Sequence, residues 1–289
     1  MPMKPILRRR PRRLVALLSA GVLLLGGCAT LDRQQREWIF QPGTRSWWGG
    51  LAAAEGMQER WIEFRAQDGG EPVRLHALWA PAARADAPLL LYLHGARYDV
   101  RGSSQRMRRL QGLGFSVLGI DYRGFGRSTP ALPSEQTAGE DALAAWDWLA
   151  AQHPDRPRFV FGHSLGGAIA VQLASQRDDV SGLIVEGGFT SIPELVRHFK
   201  WGWLPLGPLI TQRFEAAEHI AQVRAPVLVV HGSEDQLIPS SLGRALYKRA
   251  RSPKRFVLVD GGTHHSTNAL GQVQYRQALA ELFGLRGAE

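Results

Sequence analysis

Ser164 is the middle residue of Gly162-His163-Ser164-Leu165-Gly166, a hydroxyl set between two glycines. The apolar run Phe159-Val160-Phe161 precedes it and a helix-length stretch follows, so the setting is strand, tight turn, helix. Such a turn strains the backbone of its central residue, and glycine on either side removes the side chains that would collide. The hydroxyl is left exposed above the strand and at the start of a helix, where free N–H groups favour a developing negative charge. A serine hydroxyl is a weak nucleophile alone: it needs a base, and the base needs an orienting acid. Asp235 lies in His231-Gly232-Ser233-Glu234-Asp235-Gln236-Leu237-Ile238-Pro239, directly after the apolar Val227–Val230. His264 and His265 close Asp260-Gly261-Gly262-Thr263-His264-His265, directly after Phe256–Val259. Either histidine meets the need for a base, and Glu234 is the alternative acid. The chemistry of such a set is acyl transfer through a covalent serine intermediate.

These residues can meet only if the elements between them bring loop ends together. Short apolar runs stand at 61–65, 75–80, 89–93, 116–120, 159–161, 183–185, 227–230 and 256–259. Helix-length stretches lie at 104–113, 136–152, 165–176, 240–250 and 272–283. Several runs are apolar at consecutive positions, such as Leu89-Leu90-Leu91, which means burial on both faces, as in a parallel sheet covered by helices. Strand alternating with helix predicts an α/β domain, a mostly parallel, doubly wound sheet, with the two early strands antiparallel. Ligands of such sheets bind beyond the carboxyl ends of the strands, where Ser164, Asp235 and the histidines stand.

The chain from about 60 to 285 resembles the α/β-hydrolase superfamily, and within it the serine-aminopeptidase-like branch. The matching stretches are Leu93-His94-Gly95, Asp121-Tyr122-Arg123-Gly124-Phe125-Gly126-Arg127-Ser128, Gly162–Gly166, Glu186-Gly187-Gly188-Phe189-Thr190-Ser191, His231–Pro239 and Gly262-Thr263-His264. The order serine, acid, histidine is the one known for that fold. The resemblance implies an α/β-hydrolase fold with a small cap insertion, and it maps the base to His264, with His265 as a neighbour. The oxyanion hole needs two backbone N–H groups: Leu165, next to the nucleophile, supplies one, and the resemblance points to Ala96 for the other. The family often carries Asn and further glycines where this chain has Ala96-Arg97-Tyr98-Asp99. A main-chain donor tolerates that departure, while the shape of the acyl pocket changes.

The implied activity is a serine hydrolase of small-molecule or lipid carboxylic esters, without metal or cofactor. Thioesters and amides use the same apparatus, so a thioesterase, an amidase or an aminopeptidase is the neighbouring alternative. A non-catalytic envelope lipoprotein on the same scaffold is a further one.

Other residues have structural readings. His94 and His231 precede glycines at strand ends and read as hydrogen-bonders, and His163 as a support of the turn. Asp121 reads as a loop ion pair with a nearby arginine. The arginines at 97, 101, 106, 108 and 109 read as a solvated helix face in preference to an anion site. Residues 189–223 form the cap, and Phe199, Trp201, Trp203 and Leu209 either line a pocket or seal the cap to the sheet.

The 289 residues carry a net charge of +9, but Lys4, Arg8, Arg9, Arg10, Arg12 and Arg13 supply six positives before residue 28. Without them 29 Lys and Arg face 26 Asp and Glu, a net +3, and no nucleic acid is implied. The basic run is followed by the twelve residues 14–25, too short for a span of ~20 apolar residues but sufficient for a signal h-region. Leu25-Gly26-Gly27-Cys28 resembles a bacterial lipoprotein box, with Cys28, the single cysteine, as the acylated (palmitate-bearing) residue. The expectation is a signal peptide over 1–27 and an anchor and linker arm over 28–57 whose tryptophans, Trp38, Trp47 and Trp48, pack on a domain spanning 58–289. It places the protein in the bacterial cell envelope, lipid-anchored to the membrane. Thr30 in place of an Asp favours the outer membrane, facing the periplasm.

Overall fold

Runs of apolar residues at consecutive positions bury both faces of a strand, and these chain segments do so. The computed structural model describes residues 27–46, 48–199, 202–251 and 253–285. The strands are β1 (Gln58–Arg65), β2 (Pro72–Ala80), β3 (Leu89–Leu93), β4 (Ser116–Ile120), β5 (Arg158–His163), β6 (Gly182–Glu186), β7 (Val227–Gly232) and β8 (Lys254–Val259). They form one sheet in the order β1-β2-β4-β3-β5-β6-β7-β8. β1 pairs antiparallel with β2, and β2 with β4; every later pairing is parallel. β3, β4, β6 and β7 are buried at every position, whereas β1 and β8, at the two edges, mix buried and exposed residues.

The helices divide between the two faces, giving a doubly wound α/β-hydrolase fold. Over one face pack α4 (Glu135–Gln152), α5 (Leu165–Gln176) and α8 (Ser240–Arg249), through residues such as Trp146, Ile169 and Leu246. Over the other pack α3 (Ser104–Gly112) and α10 (Gln272–Phe283), through Met107, Leu110, Tyr275 and Leu279. α4 begins on a capping box: Ser134 Oγ accepts the Thr137 N–H at 3.1 Å, while Thr137 Oγ1 accepts that of Ser134 at 2.8 Å. α9 (Thr267–Leu270) follows the loop that carries His264.

The arm is partly helical. Residues 27–40 are helical (α1), and α2 covers Trp48–Ala54. Phe40 is fully buried, yet Trp38 stays 76% exposed, so the predicted packing of that tryptophan does not occur. Trp47 and the side chain of Trp48 lie outside the described residues, as do residues 1–26 and with them the expected signal segment. Cys28 sits at the start of α1 with its thiol exposed.

Between β6 and β7 run α6 (Ile192–Arg197), a 3-10 turn at Gly207–Leu209, α7 (Ala216–His219) and a 3-10 turn at Ile220–Gln222. Phe189, Ile192 and Phe214 are buried and seal this segment to the sheet. Phe199, Trp203 and Leu209 face outward instead, Trp203 at 75% exposure, and neither line a buried pocket nor seal the cap.

Candidate active site

The turn after β5 carries the strain its sequence requires. Ser164 has φ 56° and ψ −123°, a conformation that L residues rarely adopt. A Cβ at Gly162 would lie 2.1 Å from the Gly166 carbonyl oxygen, and one at Gly166 would lie 2.2 Å from that of Leu93. Only glycine fits at either position. The Ser164 N–H donates to the Glu186 carbonyl at 2.9 Å, which ties the turn to the end of β6. Leu165 is the first residue of α5, so its N–H has no partner within the helix and remains available.

Beyond β7 and β8 the candidate acid and base meet. His264 Nδ1 lies 2.8 Å from Asp235 Oδ2, and the remaining carboxylate oxygen accepts the Leu237 and Ile238 N–H groups at 3.0 and 2.9 Å. His231 Nε2 lies 2.8 Å from the Ile238 carbonyl and 3.4 Å from Asp235 Oδ2, as the structural reading of His231 expects. Burial opposes ionisation of Asp235, but hydrogen bonds from His231, His264 and the Ile238 N–H outweigh it. The carboxyl is held well below the usual carboxylate range. Of the candidate acids and bases, Asp235 and His264 are buried, whereas Glu234 and His265 are exposed.

His163 joins the two halves of the site. Its Nε2 lies 3.0 Å from the His264 carbonyl oxygen, and the two rings stand 4.8 Å apart. Burial, then the Arg106 and His264 charges, push the His163 imidazole well below its ordinary value, so it is neutral and donates from Nε2. Gly187, at φ 59°, lies against the far side of the pair: a Cβ there would be 3.2 Å from His264 Cε1 and 3.6 Å from Asp235 Oδ2.

The loop after β3 lies directly on Ser164, since a Cβ at Gly95 would approach Ser164 Cβ to 3.1 Å. Ala96 follows, half-buried, and Arg97 takes a positive φ of 82°. His94 is a structural residue: its Nδ1 lies 2.6 Å from the Gly95 carbonyl and its ring packs on Tyr122 and Phe125.

Two expectations require correction. Asp121 pairs with no arginine among the described residues; buried just beyond the end of β4, it lies 3.0 Å from His76 Nδ1 and accepts the Val100 N–H at 2.6 Å. The arginine run is not a solvated face. Arg106 reaches inward to Glu186 Oε1 at 2.9 Å, Arg101 binds Asp99 at 2.8 Å, and Arg108 donates to the Ala53 and Glu55 carbonyls. Glu186 also accepts the Tyr275 hydroxyl, so a buried ion pair stands directly behind the elbow. The sequence carried one signal for it, an acidic residue at the end of an otherwise apolar strand, Gly182–Glu186.

Comparison with known proteins agrees with this architecture. The family model described as serine aminopeptidase, S33, matches residues 84–216 and 209–269. An uncharacterized protein of Mycobacterium tuberculosis is 36% identical over 262 residues, covering 89% of this chain and 88% of that one. The lysophosphatidylserine lipase ABHD12 of Rattus norvegicus is 31% identical over 229 residues; the match covers 73% of this chain and 52% of the lipase, about half its length. Among solved structures, the esterase Pf2001 of Pyrococcus furiosus superposes with a TM-score of 0.66 at 17% identity, over 85% of this chain and 98% of that one. The last shows likeness of fold; the first two reach across most of the chain, the strand ends that hold Ser164 and Asp235 included. With a family match running from the third strand to the His264 loop, the chain belongs to the serine aminopeptidase S33 family of α/β-hydrolases.

Proposed function

We propose that the protein is a serine hydrolase that cleaves carboxylic esters, with Ser164 as nucleophile, His264 as base and Asp235 as orienting acid. The observation that carries this reading is the strained Ser164 beside a buried acid–base pair whose loop is hydrogen-bonded to His163, the residue next to the serine. Backbone strain of that kind persists only where the surroundings over-determine it, and it concentrates at functional turns.

With Nδ1–H donated to Asp235, His264 keeps Nε2 as its basic nitrogen. That nitrogen takes the Ser164 proton as Oγ bonds to the ester carbonyl carbon. The carbonyl oxygen becomes negative and is held by the Ala96 and Leu165 N–H groups. The tetrahedral species collapses: the carbon–oxygen bond to the leaving group breaks, and His264 passes its proton to the departing alkoxide. Water then attacks the acyl carbon while losing a proton to His264, and the second collapse frees the carboxylic acid and restores the Ser164 hydroxyl. Asp235 stays ionised throughout and steadies the imidazolium.

Esters are favoured over peptides because two of the three acidic side chains of the cap are already paired: Glu194 with Arg197 at 2.9 Å and Glu215 with Arg213 at 2.7 Å. Neither is set out for a free amino terminus. A lysophospholipid lipase among the relatives favours a lipid ester as the substrate class. A lipid anchor on Cys28, holding the enzyme at the bacterial envelope near such lipids, belongs to the same proposal.

A fluorophosphonate probe tests the chemistry. Wild type labels; Ser164→Ala does not, and His264→Ala labels far more slowly. Labelling retained in Ser164→Ala removes the assignment. For the anchor, palmitate incorporation by the full chain should vanish in Cys28→Ala, and incorporation that persists there excludes Cys28 as the acylated residue.

A further inference from the structure

We infer that residues 32–46 of the arm position the oxyanion loop, with Phe40 setting Arg97 and through it the Ala96 N–H; this rests on the Ser164 reading above. Arg97 occupies the left-handed region at φ 82° without being glycine. Such a residue stays there only when something holds it. What holds it comes from the arm. The Arg97 N–H donates to the Phe40 carbonyl at 2.9 Å, and Arg97 Nε donates to Gln41 Oε1 at 3.1 Å. Two residues on, the Asp99 N–H donates to the Arg45 carbonyl at 2.9 Å, and Ser46 Oγ donates to Asp99 Oδ2 at 2.5 Å. Both sides of the loop therefore hang on the arm, and the peptide that joins Ala96 to Arg97, next in the chain to the Gly95–Ala96 peptide that carries the Ala96 N–H, is held from outside the sheet.

Phe40 is suited to be the fixed point. It is fully buried, its ring 6.5 Å from Phe125 and 5.8 Å from Phe214. Phe125 in turn packs on His94, at the root of the oxyanion loop, and Phe214 belongs to the cap. One turn earlier the arm grips the cap directly. Gln35 Nε2 donates to the Leu209 carbonyl at 2.7 Å, and Asp32 Oδ1 accepts the Thr211 hydroxyl at 2.7 Å and the Gln212 amide at 2.9 Å. One helix and its extension thus join the cap to the loop of the oxyanion donor.

A merely structural arm and a positioning arm differ in kinetics. In the full chain, with p-nitrophenyl butyrate as the probe substrate, Phe40→Ala should lower kcat by about 10- to 100-fold with KM within about twofold. Adding Arg97→Gly should recover about tenfold of that loss, because glycine adopts positive φ without a tether. In wild type the Arg97 amide should exchange with deuterium slowly despite its exposed side chain. Wild-type kcat in a folded Phe40→Ala protein, or a loss that Arg97→Gly leaves untouched, overturns the arm's role. Free-loop exchange of the Arg97 amide does the same, whether or not Phe40→Ala folds. If wild type neither labels with fluorophosphonate nor turns over ester, the Ser164 reading falls and this inference with it; if wild type does both and Phe40→Ala is unimpaired, only the inference falls.

Discussion

His163 Nε2 donates to the main-chain oxygen of His264 at 3.0 Å, so the neighbour of the proposed nucleophile, Ser164, holds the loop of the proposed base. The two loops follow strands that are not adjacent, β5 and β8, and this bond is a direct link between them. His163→Phe keeps the ring and removes the donor. Its kcat should fall about tenfold with KM little changed, since displacement of a base from its working position costs rate before binding. Steady-state kinetics on a soluble ester checks it, and an unchanged kcat makes the bond dispensable.

The strain at Ser164 predicts a stability gain on its removal. Glycine adopts φ 56° without the penalty that serine bears, so Ser164→Gly should raise unfolding free energy by about 1 kcal/mol while abolishing ester turnover. Urea denaturation of the two proteins gives the difference. A less stable Ser164→Gly would mean the hydroxyl contributes more to the fold than the strain removes.

Gly187 offers the reverse experiment. With φ 59°, and a prospective Cβ 3.2 Å from the His264 ring, Gly187→Ala should cost about 1–2 kcal/mol of stability and displace the imidazole. The rate should drop by more than the stability loss alone explains at temperatures where both proteins are folded.

Asp235 gives a pH dependence with a definite sign. Hydrogen bonds to its ionised form outweigh burial and depress its value below the ordinary 3.8. A depressed acid stabilises the fold fully above about pH 4, and the contribution is lost as pH falls through the folded value. Asp235→Asn should therefore be less stable than wild type at neutral pH, by about 1–3 kcal/mol. The gap should narrow as pH is taken from about 4 to about 2. Unfolding curves across that range decide it, and a gap independent of pH excludes Asp235 as the source. Loss of the orienting acid should also cut kcat by about 10⁴-fold.

Arg106 and Glu186 expose only 11% and 1% of their side chains. Breaking a buried pair leaves one charge unpaired, so Arg106→Met should destabilise by about 3–5 kcal/mol, and a second change, Glu186→Gln, should restore part of the loss. A double variant no more stable than the single would show that Glu186 needs no partner, the Tyr275 hydroxyl sufficing.

The sheet and the catalytic turns were legible because their signals are local. All eight strands were visible as apolar runs, since burial on both faces leaves no room for polar residues. The triad candidates stood out because each follows such a run at once. The arm was not legible: α1 is held by polar bonds from Asp32, Gln35 and Arg36 to the cap and to the Leu132–Pro133 carbonyls, which impose no apolar period. The arginines misled for a related reason. Arg106 is at a helix position like those of Arg108 and Arg109, and only the sheet's Glu186 and its burial distinguish it. Asp121 was assigned a nearby arginine by sequence proximity, whereas its partner His76 comes from a strand 45 residues earlier. Trp38 does not pack on the domain as expected, because α1 turns Phe40 inward and leaves Trp38 on the open side.

The chain leaves the sheet after β6 and returns at β7, and the cap lies wholly within that excursion. Ser164, Asp235 and His264, the proposed nucleophile, acid and base, stand on the turns after β5, β7 and β8, anchored by contacts among those turns and the strand ends. The cap is thus a replaceable part. Its residues can be exchanged without touching those contacts. The arm limits this freedom at Leu209–Gln212, so an exchanged cap has to bring an acceptor and donors for Gln35 and Asp32, or change together with them.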